Sequence, residues 1–178
     1  MISKVPASNL RRSRSGGNAL VESAFTLIPT FALIFAFIDF GLMLYRWSSL
    51  QNAVREGVRY AITFQTQTSP ALGQVASIKN VVERNSMRLV HSTDTPQHIF
   101  VKFYATTAPN VEIPAGGNVP GNIVEVSVQN VSFSWIAPLS GSYGGNIPFY
   151  RTNTPLTLKV YAFDILGGYP VGVSSVAP

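Results

Sequence analysis

The chain has no cysteine, only two histidines and few acidic residues. Its 178 residues include His91, His98 and eight aspartates and glutamates. The lack of cysteine excludes disulfides, zinc-thiolate sites and thiol catalysis. Neither histidine stands at a metal-ligand spacing from the other or from a paired carboxylate. We therefore predict no metal site and no cofactor, so the fold must be stabilised by packing alone.

The motifs of common catalytic sites are also missing. The sequence contains no Gly-x-Ser-x-Gly nucleophile elbow and no phosphate-binding loop before a helix. The acidic residues in the last three quarters of the chain are not spaced as in a known catalytic motif. His91 fits a turn or a helix end better than a ligand role. These acids are Glu56, Glu83, Asp94, Glu112, Glu125 and Asp164. We predict no catalytic residue and no enzymatic activity.

Most of the excess positive charge lies at the N-terminus. Lys4, Arg11, Arg12 and Arg14 are four of the thirteen basic residues, and without them the formal net charge of +5 falls to about +1. A basic arm directly before an apolar segment follows the positive-inside rule. The charge therefore predicts a cytoplasmic leader, residues 1–17, and an exported remainder. It does not indicate nucleic-acid binding.

A long apolar run follows the basic arm. The uncharged residues 23–38, extended to Tyr45, form about 22 residues or roughly 33 Å of helix, enough to cross a bilayer. The run is too long for the apolar region of a secretory signal, and the polar residues after Arg11-Arg12 do not suit a twin-arginine signal. We predict one transmembrane helix in contact with membrane lipid over residues 18–45, and an extracytoplasmic domain over residues 46–178. In this arrangement Asp39 lies at the far interface, where we expect it to meet water.

Glu22 is the unusual residue of this segment. A carboxylate at the start of a membrane helix costs several kcal/mol to remove from water unless it finds a partner. Two explanations are open from the residues alone. Glu22 lies about one turn inside the membrane, so it can extend back to the near interface, or it can pair with a positive group.

The order of features around Glu22 resembles the signal of type IV pilins and pseudopilins. A short basic leader ends in Gly17, an acid stands five residues later, and a long apolar helix follows. The resemblance implies that a prepilin peptidase cuts after Gly17 and makes Asn18 the first residue of the mature chain. It also implies that Glu22 pairs with the new amine of a neighbouring subunit. Gly16 offers an adjacent cut, and Asn18 and Ser23 stand where these families favour aromatic residues.

The longer run from Gly17 to Tyr60 is similar to the TadE-like family, minor pseudopilins of the tight-adherence (Flp) pilus machinery. The resemblance implies other pilin and pseudopilin subunits and an inner-membrane pilus assembly platform as partners. It places the chain in the bacterial cytoplasmic membrane. The residues that carry the resemblance are Pro29, Asp39, Phe40, Gly41, Tyr45, Asn52, Arg55, Glu56, Gly57, Arg59 and Tyr60.

The rest of the chain predicts an α+β, pilin-like fold with a small antiparallel sheet of about three or four strands. Apolar residues at spacings of three and four predict that the membrane helix continues through residues 46–64 and that a second helix covers residues 70–90, starting at Ser69-Pro70. Alternating residues predict strands near 98–105, 122–135 and 156–165. Proline and glycine predict loops over 106–121 and 137–155. The alternation changes parity near Asn130, which predicts a β-bulge there.

Two functions are compatible with these observations. The first is a pseudopilin that acts in Tad pilus assembly through helix packing with other subunits. The second is a bitopic envelope protein whose exported domain binds a ligand or protein partner, with no role in pili. Cleavage after Gly17 separates the two.

Overall fold

The computed structural model describes residues 16–68, 71–133 and 156–169. It contains two helices, α1 (Gly16–Ile62) and α2 (Gln74–Asn85), and four strands, β1 (Ile99–Ala105), β2 (Ala108–Glu112), β3 (Ile123–Phe133) and β4 (Leu156–Ile165). The strands form one antiparallel sheet in the order β2-β1-β3-β4. The predicted α+β class with a long apolar helix is confirmed. Residues 1–15 of the basic leader, the Ser69-Pro70 pair and the predicted loop 137–155 lie outside the described residues, and the last two leader residues, Gly16 and Gly17, begin α1.

Helix α1 has 47 residues, about 70 Å at 1.5 Å per residue. The helix continues across Pro29 without interruption. The part from Ala19 onward is long and apolar enough to cross a membrane. Large apolar side chains of the N-terminal half stay exposed, whereas Leu50, Val54 and Val58 are buried in the core. One helix therefore has an uncovered half and a half that belongs to the domain.

Helix α2 is shorter than the sequence predicts at both ends. It begins after Gly73, whose extended backbone forms the N-cap, and residues 71 and 72 lie outside the helix. The Leu72 amide instead donates to the Gln67 carbonyl in a turn, at 3.0 Å. At the other end Met87 and Arg88 have positive φ angles of 54° and 61°, which cannot continue a right-handed helix. The apolar spacing was read correctly, but these turns limit the helix.

The three alternating segments form β1, β3 and β4. Val124, Val126 and Val128 of β3 face the core, and after a register shift Val131 and Phe133 take the buried positions. Asn130 lies in the shift with φ of 61°. The change of parity in the sequence thus marks a β-bulge, which keeps valines and an aromatic ring on one face of a long strand.

Strand β2 lies inside the segment 106–121 that the sequence predicts as a loop. All five of its residues are exposed, and it contains Pro109. An edge strand tolerates proline because one row of its amides makes no hydrogen bonds to a neighbouring strand. Because β2 has no buried face, its sequence does not alternate between apolar and polar residues. The strand is held to β1 by backbone pairing and by the ion pair of Lys102 with Glu112, at 2.6 Å.

The domain packs along the C-terminal half of α1 with a defined direction. The side-chain amide of Gln74, at the start of α2, donates to the Ala61 carbonyl at 3.0 Å, and the Tyr45 hydroxyl donates to the sulfur of Met87 just after α2, at 2.7 Å. Helix α2 therefore runs antiparallel to α1. The turn after α2 and the end of β3 lie at the end of the domain nearest the uncovered half of α1, which we call the proximal end.

Candidate subunit-packing site

The uncovered half of α1 presents a narrow polar stripe on an apolar surface. Glu22, Ser23, Thr26 and Thr30 recur at spacings of three and four, so they share one side of the helix. Apolar side chains border the stripe, among them Leu27, Phe31 and Ile34. Small and hydroxyl-bearing residues in such a stripe allow helices in lipid to approach closely. This stripe is the best candidate for a surface that contacts another subunit's helix.

The three hydroxyls of the stripe are satisfied within α1. Ser23 donates to the Ala19 carbonyl at 2.7 Å, Thr26 to the Glu22 carbonyl at 3.2 Å and Thr30 to the Thr26 carbonyl at 2.7 Å. These bonds remove the cost of placing hydroxyls in hydrocarbon without a partner. The hydroxyls can therefore enter a membrane or a helix bundle equally well.

Glu22 differs from the hydroxyls because a neighbouring carbonyl cannot satisfy a carboxylate. Its side chain is exposed, and none of the ion pairs within the described ranges includes it. The Gly17–Asn18 bond, the predicted cut, lies one turn before it at the start of α1. A cut there would create an amine on the same helix end as Glu22, within reach of a neighbouring helix packed beside it.

Family-motif residues of the C-terminal half of α1 lie on two different faces. Gly57 is buried and faces α2: a Cβ built on it would come within 2.5 Å of a Val82 methyl group. Tyr60 packs against the core. The polar motif residues Asn52, Arg55 and Arg59 are exposed, and Arg59 lies 3.9 Å from Glu56 in an open i,i+3 pair. One face builds the domain, and the other is available to solvent or a partner.

The junction between the two halves of α1 differs from the expectation at Asp39. This side chain is 1% exposed and takes part in an electrostatic or hydrogen-bonding interaction, so it does not meet water. The sequence places Asp39 at the end of the span by counting residues, and counting does not reveal that the folded chain covers it. The neighbouring motif residues Phe40 and Tyr45 are largely exposed, and no atom of the described residues comes within 4 Å of a Cβ built on Gly41.

Arg46 continues this junction. Its guanidinium lies 5.1 Å from the centre of the Phe133 ring at the end of β3. A cation over an aromatic face adds a modest attraction and keeps the charge close to the proximal end. The sequence ends the predicted span at Tyr45, directly before Arg46, but the contact with Phe133 has no local sequence signal.

A second polar cluster lies at the end of α2. The Glu83 carboxylate accepts bonds from the Ser92 amide at 2.9 Å and the Ser92 hydroxyl at 2.7 Å, and it lies 3.1 Å from the His91 ring. The Ser92 amide, followed by His91 and the Ser92 hydroxyl, lowers the pKa of Glu83. Asp94 accepts from the His91 amide at 2.7 Å, as expected of a turn. The cluster fixes the connection from α2 to β1.

The histidine and carboxylates of this cluster are not grouped as a set of metal ligands. Within residues 16–68, 71–133 and 156–169, no three side chains of His, Asp or Glu are grouped so that they could hold a metal ion. Both carboxylate oxygens of Glu83 accept hydrogen bonds from the following turn. The chemistry of this cluster is therefore that of a structural cap.

Comparison with known proteins locates the family signal on α1. Residues 17–59 match the family model described as TadE-like protein, about a quarter of the chain. No curated protein and no solved structure matches the chain. The matched segment begins at the predicted processing glycine and ends three residues before Ile62, the last residue of α1. The long N-terminal helix is therefore similar to the TadE-like family, and the resemblance predicted from the sequence is confirmed over these residues.

Proposed function

We propose that this chain is a minor pseudopilin of the Tad (Flp) pilus system. The TadE-like family associates the chain with that system and with an N-terminal apolar helix. In the proposal the helix holds the chain in the inner membrane, with the leader in the cytoplasm and the α+β domain outside. The same helix then packs against other pilin-like subunits during assembly. The proposal includes no catalytic step and no cofactor.

The observation that carries the proposal is the uncovered half of α1. From Ala19 to Ile38 the described side chains are exposed or half-exposed, and Asp39 is the first that the domain buries. Twenty residues of helix are about 30 Å long, the thickness of the hydrocarbon core of a bilayer. Leaving this much apolar surface in water is unfavourable by about 25 cal/mol per Å². Lipid or other apolar helices must therefore cover it.

Glu22 supplies the specificity of the packing. Inside a bundle of apolar helices an ionised carboxylate requires a partner, and the amine of Asn18 on a neighbouring subunit would provide one. The proposed partners are thus other pilin or pseudopilin subunits, a prepilin peptidase that exposes the amine, and the inner-membrane assembly platform. The polar stripe gives the neighbouring helix room to come close.

The first test is the N-terminus of the mature chain. We expect that co-expression with a prepilin peptidase yields a protein whose intact mass and first residue correspond to a start at Asn18. Gly17→Ala should block this change. Gly41→Ala is the matched control, since Gly41 lies in the same helix and nothing in the described part of the chain comes within 4 Å of the added methyl group. A full-length wild-type protein beside an active peptidase would contradict processing.

A second candidate is the bitopic envelope protein. The outer face of β4 favours it, because Tyr161, Phe163 and Ile165 are each more than half exposed there. A sheet face with exposed aromatic side chains is typical of an interaction surface. In this case α1 would serve as an anchor, the chain would stay full length, and it would be absent from sheared pilus fractions. Detection of the chain in those fractions would decide for the pseudopilin.

A further inference from the structure

The proximal end of the domain carries a turn that lies beside the exit of the predicted span. After α2 ends, Met87 and Arg88 both adopt left-handed backbone angles, and both side chains are exposed. Met87 is 63% exposed. Its sulfur nevertheless accepts the Tyr45 hydroxyl at 2.7 Å, which fixes the turn to a known position along α1.

The position of Tyr45 relative to a bilayer lies between two limits, set by where the hydrocarbon core begins or ends along α1. If the hydrocarbon core begins just after Glu22, its 30 Å end near residue 43, about 3 Å before Tyr45. If the core ends at Ile38, just before the buried Asp39, Tyr45 lies about 10 Å beyond it. The headgroup layer is roughly 5–7 Å thick on each side. The first register therefore puts the Tyr45–Met87 contact inside the headgroup layer, and the second puts it about 3–5 Å beyond that layer. Residues 40–44 are exposed or half-exposed, which favours the first register.

The chemistry of the turn suits that layer. Met87 offers a flexible apolar side chain that tolerates irregular surroundings. Arg84 and Arg88 are exposed next to it, while the nearest acid along α2, Glu83, is engaged with Ser92 and His91. Exposed arginines with no free acid among them attract lipids of net negative charge. The turn thus continues the apolar surface of α1 and adds positive charge at its edge.

We propose that the turn at residues 86–88 is a second membrane contact, which binds the headgroup layer of an anionic bilayer on the side that faces the domain. Met87 enters the boundary between headgroups and acyl chains, and Arg88 and Arg84 bind lipid phosphates. Together with α1 this contact fixes the tilt of the domain on the membrane. The inference rests on the proposed membrane anchoring by α1.

The lack of native cysteine makes a direct test available, because single-cysteine variants of the full chain can carry one nitroxide label each. The variants are Met87→Cys and, as the matched control, Val111→Cys on β2, since the two native side chains are 63% and 64% exposed. Leu33→Cys reports on the span itself. Asn85→Cys gives a second reading beside the turn and leaves the Tyr45–Met87 contact intact. Each chain is placed in vesicles of phosphatidylcholine with one third phosphatidylglycerol.

The readout is the accessibility of each label to oxygen, which dissolves in lipid, and to a nickel chelate, which stays in water. We expect the labels at 87 and 85 to be shielded from nickel at least twofold relative to the label at 111, and the label at 33 to be shielded most. The second contact would be overturned if the label at 33 lay in lipid but the labels at 87 and 85 were as accessible to nickel as the label at 111. The anchor would then still stand. A label at 33 in water would remove the anchor and the proposed function with it.

The charge part of the inference has its own control. Arg88→Ala, added to Asn85→Cys, should reduce the nickel shielding in the anionic vesicles, whereas Arg59→Ala on the exposed face of α1 should not. In vesicles of phosphatidylcholine alone the shielding should already be weaker. Equal shielding in both vesicle types, unaffected by Arg88→Ala, would contradict binding through lipid charge.

Discussion

At the scale of single residues, Gly57 shows why one motif position excludes a side chain. A Cβ at this position would come within 2.5 Å of Val82 and 3.4 Å of Val126. The missing side chain lets α1 and α2 pack closely over β3. The sequence resemblance includes Gly57, but the need for glycine there becomes clear only from its neighbours on α2 and β3.

Gly57→Ala should therefore destabilise the domain. Overpacking a filled core costs about 1–3 kcal/mol, and the better helix propensity of alanine returns about 1 kcal/mol. We expect a net loss of up to about 2 kcal/mol in thermal or denaturant unfolding of the full chain in detergent. Gly41→Ala, whose added methyl group meets none of the residues that the structure describes, should cause no loss. In a double-mutant cycle, Val82→Ala should lower the free energy of unfolding less in the Gly57→Ala background than in the wild type.

Glu83 gives the domain a predicted acid sensitivity. Its pKa is lowered in the folded state, chiefly by the Ser92 amide. A carboxyl with a lowered folded pKa contributes stability above its unfolded pKa, and this contribution is lost as the pH falls through the folded value. The loss should start below about pH 4.3. Stability measured from pH 7 to pH 3 should fall less steeply for Glu83→Gln than for the wild type, whereas Glu56→Gln on the exposed face should retain the wild-type slope. Identical slopes for Glu83→Gln and wild type would exclude this role.

At the scale of elements, the bulge of β3 is the feature that the sequence locates best. The switch of buried positions around Gln129 and Asn130 required an extra residue, and the register shift lies between Val128 and Val131. Strand β2 and the start of α2 were missed for the opposite reason. Strand β2 has no buried side, because all five of its residues are exposed. The start of α2 has no local stop signal, because the turn before it depends on backbone bonds such as that from Leu72 to Gln67.

The bulge predicts an unusual response to substitution at Asn130. A residue with a Cβ pays roughly 1–2 kcal/mol in the left-handed region, asparagine somewhat less, and glycine almost nothing. Asn130→Ala should therefore lower the free energy of unfolding by about 1 kcal/mol, whereas Asn130→Gly should leave it unchanged or raise it. Asn110→Ala, on exposed β2, serves as the control in the same denaturant titrations. An equal effect of alanine and glycine at position 130 would show that its backbone angle does not matter.

At the scale of the whole molecule, α1 divides the chain into an assembly part and a domain part. Periodicity and hydropathy were sufficient to predict the continuous helix and its two environments, because both depend on local spacing. They were not sufficient for Asp39, Arg46 or Met87, whose surroundings come from distant parts of the chain: the Tyr45–Met87 contact joins residues 42 positions apart. The candidate site is therefore predictable where it is helical and exposed, and unpredictable where the domain folds back onto the helix.

The account depends most on Glu22, the carboxylate at the mouth of the apolar helix. Breaking a buried charge pair by removing one partner costs about 3–5 kcal/mol, equivalent to more than about a hundredfold in an assembly equilibrium. The most direct measurement is the amount of surface pili in cells that carry Glu22→Gln, with membrane insertion of the chain checked in parallel and Glu56→Gln as the matched control. The account predicts normal insertion for both variants and a loss of pili for Glu22→Gln alone. Normal piliation with an inserted Glu22→Gln chain would contradict it.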